Sequence, residues 1–203
     1  MGQVNSIFPG VLGHMYIKKH FNEDAKRTMK TMVKNIKEEM KTIITNVNWM
    51  DNITRKGAIQ KIEKMQEYIG YPEELLNVGL LEELYKVIFF CKFGFSFSHF
   101  QGLKVFPDQH FQNAVEIGKW STSYVVSGMR EKIDKTDWKR HDQPAVVNAF
   151  YSYIGNSIQF PAGILQGNFF GLDRPAYMNY GGIGWVRHKF DYLIFYPIPG
   201  DWA

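Results

Sequence analysis

Cysteine is almost missing from this chain: Cys91 stands alone among 203 residues. One thiol makes no intrachain bridge, which leaves an intracellular chain, a free buried thiol, or part of a larger secreted protein whose bridges lie elsewhere. Long apolar runs are lacking too. No stretch reaches the roughly 18 residues that a membrane-spanning helix needs, so no span is expected within the chain. Met1 to Gly10 lack the basic start, apolar run and small-residue cleavage site of a secretory signal. Repeats and low-complexity tracts are absent, which excludes solenoids and linkers. The net charge is only +4, so a nucleic-acid partner is not expected.

What is present is the composition of a folded domain, 45% hydrophobic and 16% aromatic. From Asn22 to Val47 the residues Ala25, Met29, Val33, Ile36, Met40, Ile43, Ile44 and Val47 recur every three or four positions, the period of an amphipathic helix. Lys26, Arg27, Lys30, Lys34, Lys37 and Lys41 fall opposite and read as a solvated face, because Glu38 and Glu39 interrupt the run and no aromatics interleave it. A second helix is expected from Asp51 as N-cap, burying Ile53, Ile59, Ile62, Met65 and Ile69 and ended by Gly70 and Pro72. A third runs from about Leu80 to Ile88. Asn52-Ile53-Thr54 has the form of an N-glycosylation sequon, which matters only if the chain reaches the secretory pathway.

Between Phe89 and Pro107 an aromatic run follows neither helical nor strand period. It fits a buried hairpin or an exposed patch equally. Cys91 lies in it with no catalytic motif and reads as an inert thiol. Further on, Pro144 to Tyr153 alternates like a strand, Gly155-Asn156 supplies a turn, and Ser157 to Phe160 returns, giving a hairpin. Gly181, Gly182 and Gly184 would each cost a helix roughly 1 kcal/mol against alanine, so a helix there implies close backbone approach. Gly-Gly-Ile-Gly lacks the spacing and the Lys-Ser/Thr of a phosphate-binding loop. His14, His20, His99, His110 and His141 show no ligand spacing.

Three ordered motifs then carry a resemblance: Val146 to Ser152, Asn156 to Gln166, and Asn179 to Gly184. Together they resemble the neprilysin and endothelin-converting-enzyme family of zinc endopeptidases. Gly13 to Lys19, Trp49-Met50-Asp51, Ile69 to Pro72, and Val125-Val126 through Asp137-Trp138 are similar to the same family in the same order. Phe89 to Asp108 and roughly the last fifteen residues are not covered.

The resemblance implies a mainly helical α+β fold, thermolysin-like (zincin), with a small antiparallel sheet in the last third. It implies a helical ectodomain region over residues 1–110, with an unmatched segment at about 89–108. Residues 111–203 would begin the metallopeptidase catalytic domain, cut short. The family is a membrane-anchored (type II) or secreted ectodomain stapled by disulfides, cutting peptides on the amino side of hydrophobic residues. Its zinc sits on a His-Glu-x-x-His helix plus a later glutamate, and the motif glutamate takes a proton from the metal-bound water. Its Asn-Ala-Phe/Tyr-Tyr strand pairs with substrate backbone. By motif, substrate binding falls on Asn148 and Ala149, with Phe150 and Tyr151 shaping the cleft.

One departure matters for mechanism. Where the family continues from Gly-Gly-Ile-Gly into His-Glu-x-x-His, this sequence reads Gly184-Trp185-Val186-Arg187-His188-Lys189-Phe190-Asp191, and no His-Glu pair occurs anywhere. His188 and Asp191 match the second histidine and the aspartate behind it. One protein ligand binds zinc weakly, and no glutamate is left to act as base. Two expectations follow: a metallopeptidase chain inactive as it stands, with the reaction belonging to its family, or a non-catalytic peptide-binding module that keeps the substrate strand.

Overall fold

The computed structural model describes residues 8–86, 106–129, 132, 134 and 137–184. Helix α1 (Pro9–His20) leads into the long α2 (Glu23–Asn46), which starts where the Asn22 side chain accepts from Asp24 N at 2.8 Å. Glu23 and Asp24 in its first turn complement the helix dipole. Its apolar stripe buries Ala25, Met29, Val33, Met40 and Ile44, as the sequence period predicts. Helix α3 (Asn52–Glu63) is capped by Asp51, whose carboxylate accepts from Ile53 N and Thr54 N at 2.9 Å each. These bonds, the one from Thr54 N foremost, hold the Asp51 carboxyl below its ordinary range. Arg55 bonds the carbonyls of Ile44, Val47 and Met50, so one guanidinium closes the end of α2 against the start of α3.

Here the sequence reading needs correction. The second helix stops at Glu63, and residues 66–70 form strand β1 (Gln66–Gly70). Met65 and Ile69 are buried as expected, but from a connection and a strand; Ile53 is 87% exposed in the first turn of α3. Gly70 ends the strand at φ +79, a left-handed conformation open to glycine. Helix α4 (Val78–Lys86) follows a 3-10 turn, Glu73–Leu76. Helix α5 (His110–Gly128) buries no residue fully. Cys91, His99, His188, Asp191 and nearly all of the aromatic run lie outside the described residues.

The hairpin forms with a shorter first arm than the alternation suggests: strand β2 is Phe150–Ser152 and β3 is Ser157–Pro161. Residues 144–149 instead run as turns and bends. Strand order is β1-β3-β2, with β3 antiparallel to β2 and parallel to β1, Ile69 opposite Phe160. The sheet is therefore mixed, and one of its strands comes from the first half of the chain. A single core joins Met29, Val33, Ile44, Ile62 and Ile69 to Ile158, Phe160, Ile164, Phe170 and Ile183. Helix α6 (Ala176–Gly184) supplies the last of these. Ile17, Tyr71, Leu75 and Leu81 make a smaller cluster under α1.

Lys26 is the second correction. It is 5% exposed rather than solvated, and its Nζ donates to Tyr71 O at 3.1 Å, pairs with Glu73, and lies 3.9 Å from the Tyr71 ring centroid. A buried ammonium needs such partners. The signal was in the spacing: Lys26 precedes Met29 by three and Val33 by seven, which sets it at the margin of the apolar stripe.

Candidate functional site

The four residues singled out for substrate binding lie on and just before β2, the edge strand of the sheet among the described residues. Their approach is fixed from below. Gly163 N donates to Pro144 O at 2.7 Å, and a Cβ at Gly163 would lie 2.7 Å from Val146 O, so only glycine lets residues 144–146 pass this close. Asn148 emerges exposed, and its Oδ1 accepts from Ala149 N at 2.8 Å. No acceptor among the described residues takes its amide nitrogen. Ala149 is 3% exposed and belongs to the core, whereas Phe150 is 40% exposed. Tyr151 is half-buried with its hydroxyl 3.5 Å from Asn156 Oδ1, and burial pushes its phenol up to about 12.

Asn156 holds the hairpin in place. At φ 45 it turns the chain; its Nδ2 donates to Lys61 O at 2.8 Å and its carbonyl accepts from Gln66 N at 3.0 Å. The turn was legible in Gly155-Asn156; the clamp onto the end of α3 was not, since its partners lie some ninety residues earlier. Asn179 does the same for the loop before α6. It is 4% exposed, donates to Gly171 O at 2.8 Å and accepts from Gly171 N at 3.0 Å. The expectation of close approach at the glycine cluster holds at one position. A Cβ at Gly182 would lie 2.7 Å from Phe169 O, while Gly181 and Gly184 face open space. Phe160, Ala162, Ile164 and Leu165 are all buried beneath the strand.

Of the histidines, His14 Nδ1 lies 2.8 Å from Leu75 O, and His141 stacks on Tyr68 at 3.4 Å with Nδ1 3.2 Å from Gln159 Oε1. Both are packing residues. Burial pulls the His141 imidazole below its ordinary value. Among the described residues no three His, Cys, Asp or Glu side chains converge on a metal position. The described residues therefore do not make a zinc centre.

Comparison with known proteins defines the class. The fold matches Mycobacterium tuberculosis zinc metalloprotease ZMP1 with a TM-score of 0.68 and 27% identity, covering 93% of this chain and 25% of that one. The architecture is thus that of a zinc metallopeptidase of the zincin type. Two models of peptidase family M13 match, one over residues 1–72 and one over residues 148–191. The chain is 40% identical over 185 residues to Neprilysin-2 of Drosophila melanogaster, covering 89% of this chain and 22% of that protein. Against Membrane metallo-endopeptidase-like 1 of Mus musculus it is 35% identical over 195 residues, covering 93% and 23% respectively. This chain belongs to peptidase family M13, the neprilysin-like zinc metalloendopeptidases. It spans under a quarter of the length of these two relatives.

Proposed function

We propose that this chain carries the peptide-binding sheet edge of a neprilysin-like metalloendopeptidase and does not itself cleave peptides. The observation that carries the reading is the position of β2. It is an edge strand reached through the exposed Asn148, whose amide nitrogen is left to donate. An extended peptide adding there would gain main-chain hydrogen bonds, with Asn148 Nδ2 donating to a peptide carbonyl and Phe150 and Tyr151 forming apolar walls. Ala149 takes its place in this reading from the family motif. The peptides are those with hydrophobic residues, cut by the family on their amino side.

Hydrolysis is a different matter. Zinc supplies the family with an activated water, but the sequence holds no His-Glu pair, and His188 is a single match to a zinc ligand. No step of hydrolysis is assigned to this chain. In the same reading residues 1–110 are the helical region and residues 111–203 the start of the catalytic domain, reached through the secretory lumen on the extracellular side that the family resemblance implies.

Titration of a fluorescent peptide rich in Phe and Leu tests the binding edge, with hydrolysis followed in parallel with and without added Zn²⁺. Saturable binding is expected, about 5–30-fold weaker in Asn148→Ala for loss of one or two hydrogen bonds, with no cleavage in either condition. No binding at millimolar peptide would remove the edge reading, and zinc-dependent cleavage would remove the claim of inactivity.

A further inference from the structure

We propose that Asn52 is an N-glycan acceptor and that the glycan covers an apolar patch at the corner between α2 and α3. The inference rests on the luminal or extracellular placement proposed above, and on three independent features of the chain. Asn52-Ile53-Thr54 is the one Asn-x-Ser/Thr triplet in the sequence. Asn52 is the first residue of α3 and is exposed. Its carboxamide oxygen accepts from Arg55 Nη1 at 3.1 Å, while no acceptor among the described residues takes its amide nitrogen, the atom that would bear the sugar.

The third feature is what surrounds it. Ile53 is 87% exposed and Trp49 is 67% exposed, three residues before the asparagine, with Ile43 at 43% near the end of α2. Trp49 and Ile53 stand within three residues of the asparagine, and open apolar side chains so placed are what a glycan there would cover. In this proposal the carbohydrate on Asn52 lies over these side chains, the indole face being a good platform for the C–H edges of a sugar ring. The sugar is carried by the side-chain nitrogen of an exposed residue, so the backbone hydrogen bonds of α3 are left intact. The Asp51 cap is likewise untouched.

The chemistry is substitution at carbon. The Asn52 amide nitrogen attacks the anomeric carbon of an oligosaccharide carried on a polyprenyl diphosphate. The C–N bond forms, the bond from that carbon to the diphosphate oxygen breaks, and the polyprenyl diphosphate leaves with the electron pair. The nitrogen gives up one proton to the transferase base, and nothing is oxidised or reduced.

The test is to direct the whole chain into the secretory lumen of eukaryotic cells with a cleavable signal and treat the product with peptide N-glycosidase. A single downward mobility shift is expected, with Asn52 converted to Asp in the peptide mass spectrum. The shift should be lost in Asn52→Gln and in Thr54→Ala and kept in Thr54→Ser. The glycosylated form should also bind less of a hydrophobic dye than the enzymatically deglycosylated one, with Trp49→Ala narrowing the difference. An unshifted chain, in a variant whose added control sequon at the C-terminus is occupied, would overturn the proposal, as would equal dye binding by the two forms. Glycosidase treatment of the native protein separates the premise from the proposal. If the native protein is unmodified while the directed chain is modified at Asn52, the luminal placement fails and the acceptor stands.

Discussion

Gly182 and Gly181 are neighbours in one helix with opposite consequences for substitution. A methyl group at Gly182 meets the Phe169 carbonyl at 2.7 Å, so Gly182→Ala should cost about 1–3 kcal/mol through backbone displacement. At Gly181 the same change meets nothing and removes a poor helix former, so Gly181→Ala should be neutral or stabilise by up to about 1 kcal/mol. Urea unfolding of the two variants checks the pair, and equal effects would contradict the packing. The sequence announced that glycine mattered here without saying which one, because side-chain spacing within α6 carries no information about the loop at residues 168–171 that it touches. Lys26 shows the same limit. Its spacing from Met29 and Val33 sets it at the margin of the apolar stripe, but the partners that let an ammonium be buried there, Tyr71 and Glu73, lie far along the chain.

Among the elements, helix α2 was legible in its extent and in most of its buried stripe, since the stripe repeats over many turns and the cap is local; Ile43, on the expected stripe, is 43% exposed. Spacing alone carries the second helix past its observed end at Glu63, for a reason that lies in geometry. Met65 and Ile69 continue the spacing of Ile62 at three and four residues, yet Met65 is buried from the connection and Ile69 from strand β1, whose partner β3 lies far along the chain. A parallel partner leaves no local trace, unlike the tight turn that betrayed the β2–β3 hairpin. Alternation over Pro144 to Tyr153 pointed to a strand, of which only Phe150–Ser152 forms, while the role proposed for Asn148 comes from the family motif rather than from period. Docking of α1 depends on the segment that follows the 3-10 turn Trp138–His141. A Cβ at Gly13 would meet Pro144 at 2.6 Å, and burial pushes the neighbouring Asp142 carboxyl up to about 6. A carboxyl raised in the folded state binds more protons there than in the unfolded chain between about pH 4 and 6, so its contribution falls as pH rises through that window. Asp142→Asn should therefore leave stability little changed near pH 4 and raise it by on the order of 2 kcal/mol at pH 7. Thermal melts at the two pH values measure the difference, and a gain of equal size at both would point to a cause other than titration.

At the scale of the whole molecule, the core takes side chains from both the helical half and the hairpin half. Residues 1–110 and 111–203 are proposed to belong to different regions of the longer peptidase, but in this chain neither half completes its own apolar surface. Expressed separately, each should be rapidly cut by a nonspecific protease, and when co-expressed they should protect one another. Phe160→Ala, which empties the centre of the shared core, should cost about 3–5 kcal/mol in the intact chain and abolish that mutual protection. A piece covering residues 1–110 that unfolds cooperatively by itself would contradict the shared core.

The parallel pairing of β1 with β3 bears on how this fold tolerates change in length. The pair ties Gly70 to Pro161 and Gln66 to Ser157 across a long excursion of chain. The entropy lost in closing such an excursion grows only with the logarithm of its length, so doubling it costs about 0.6 kcal/mol. Extra sequence between the two strands, the aromatic run from Phe89 to Pro107 included, thus adds little to what the sheet must overcome. The strands meet because their side chains share a core, and the distance travelled between them is nearly free to vary.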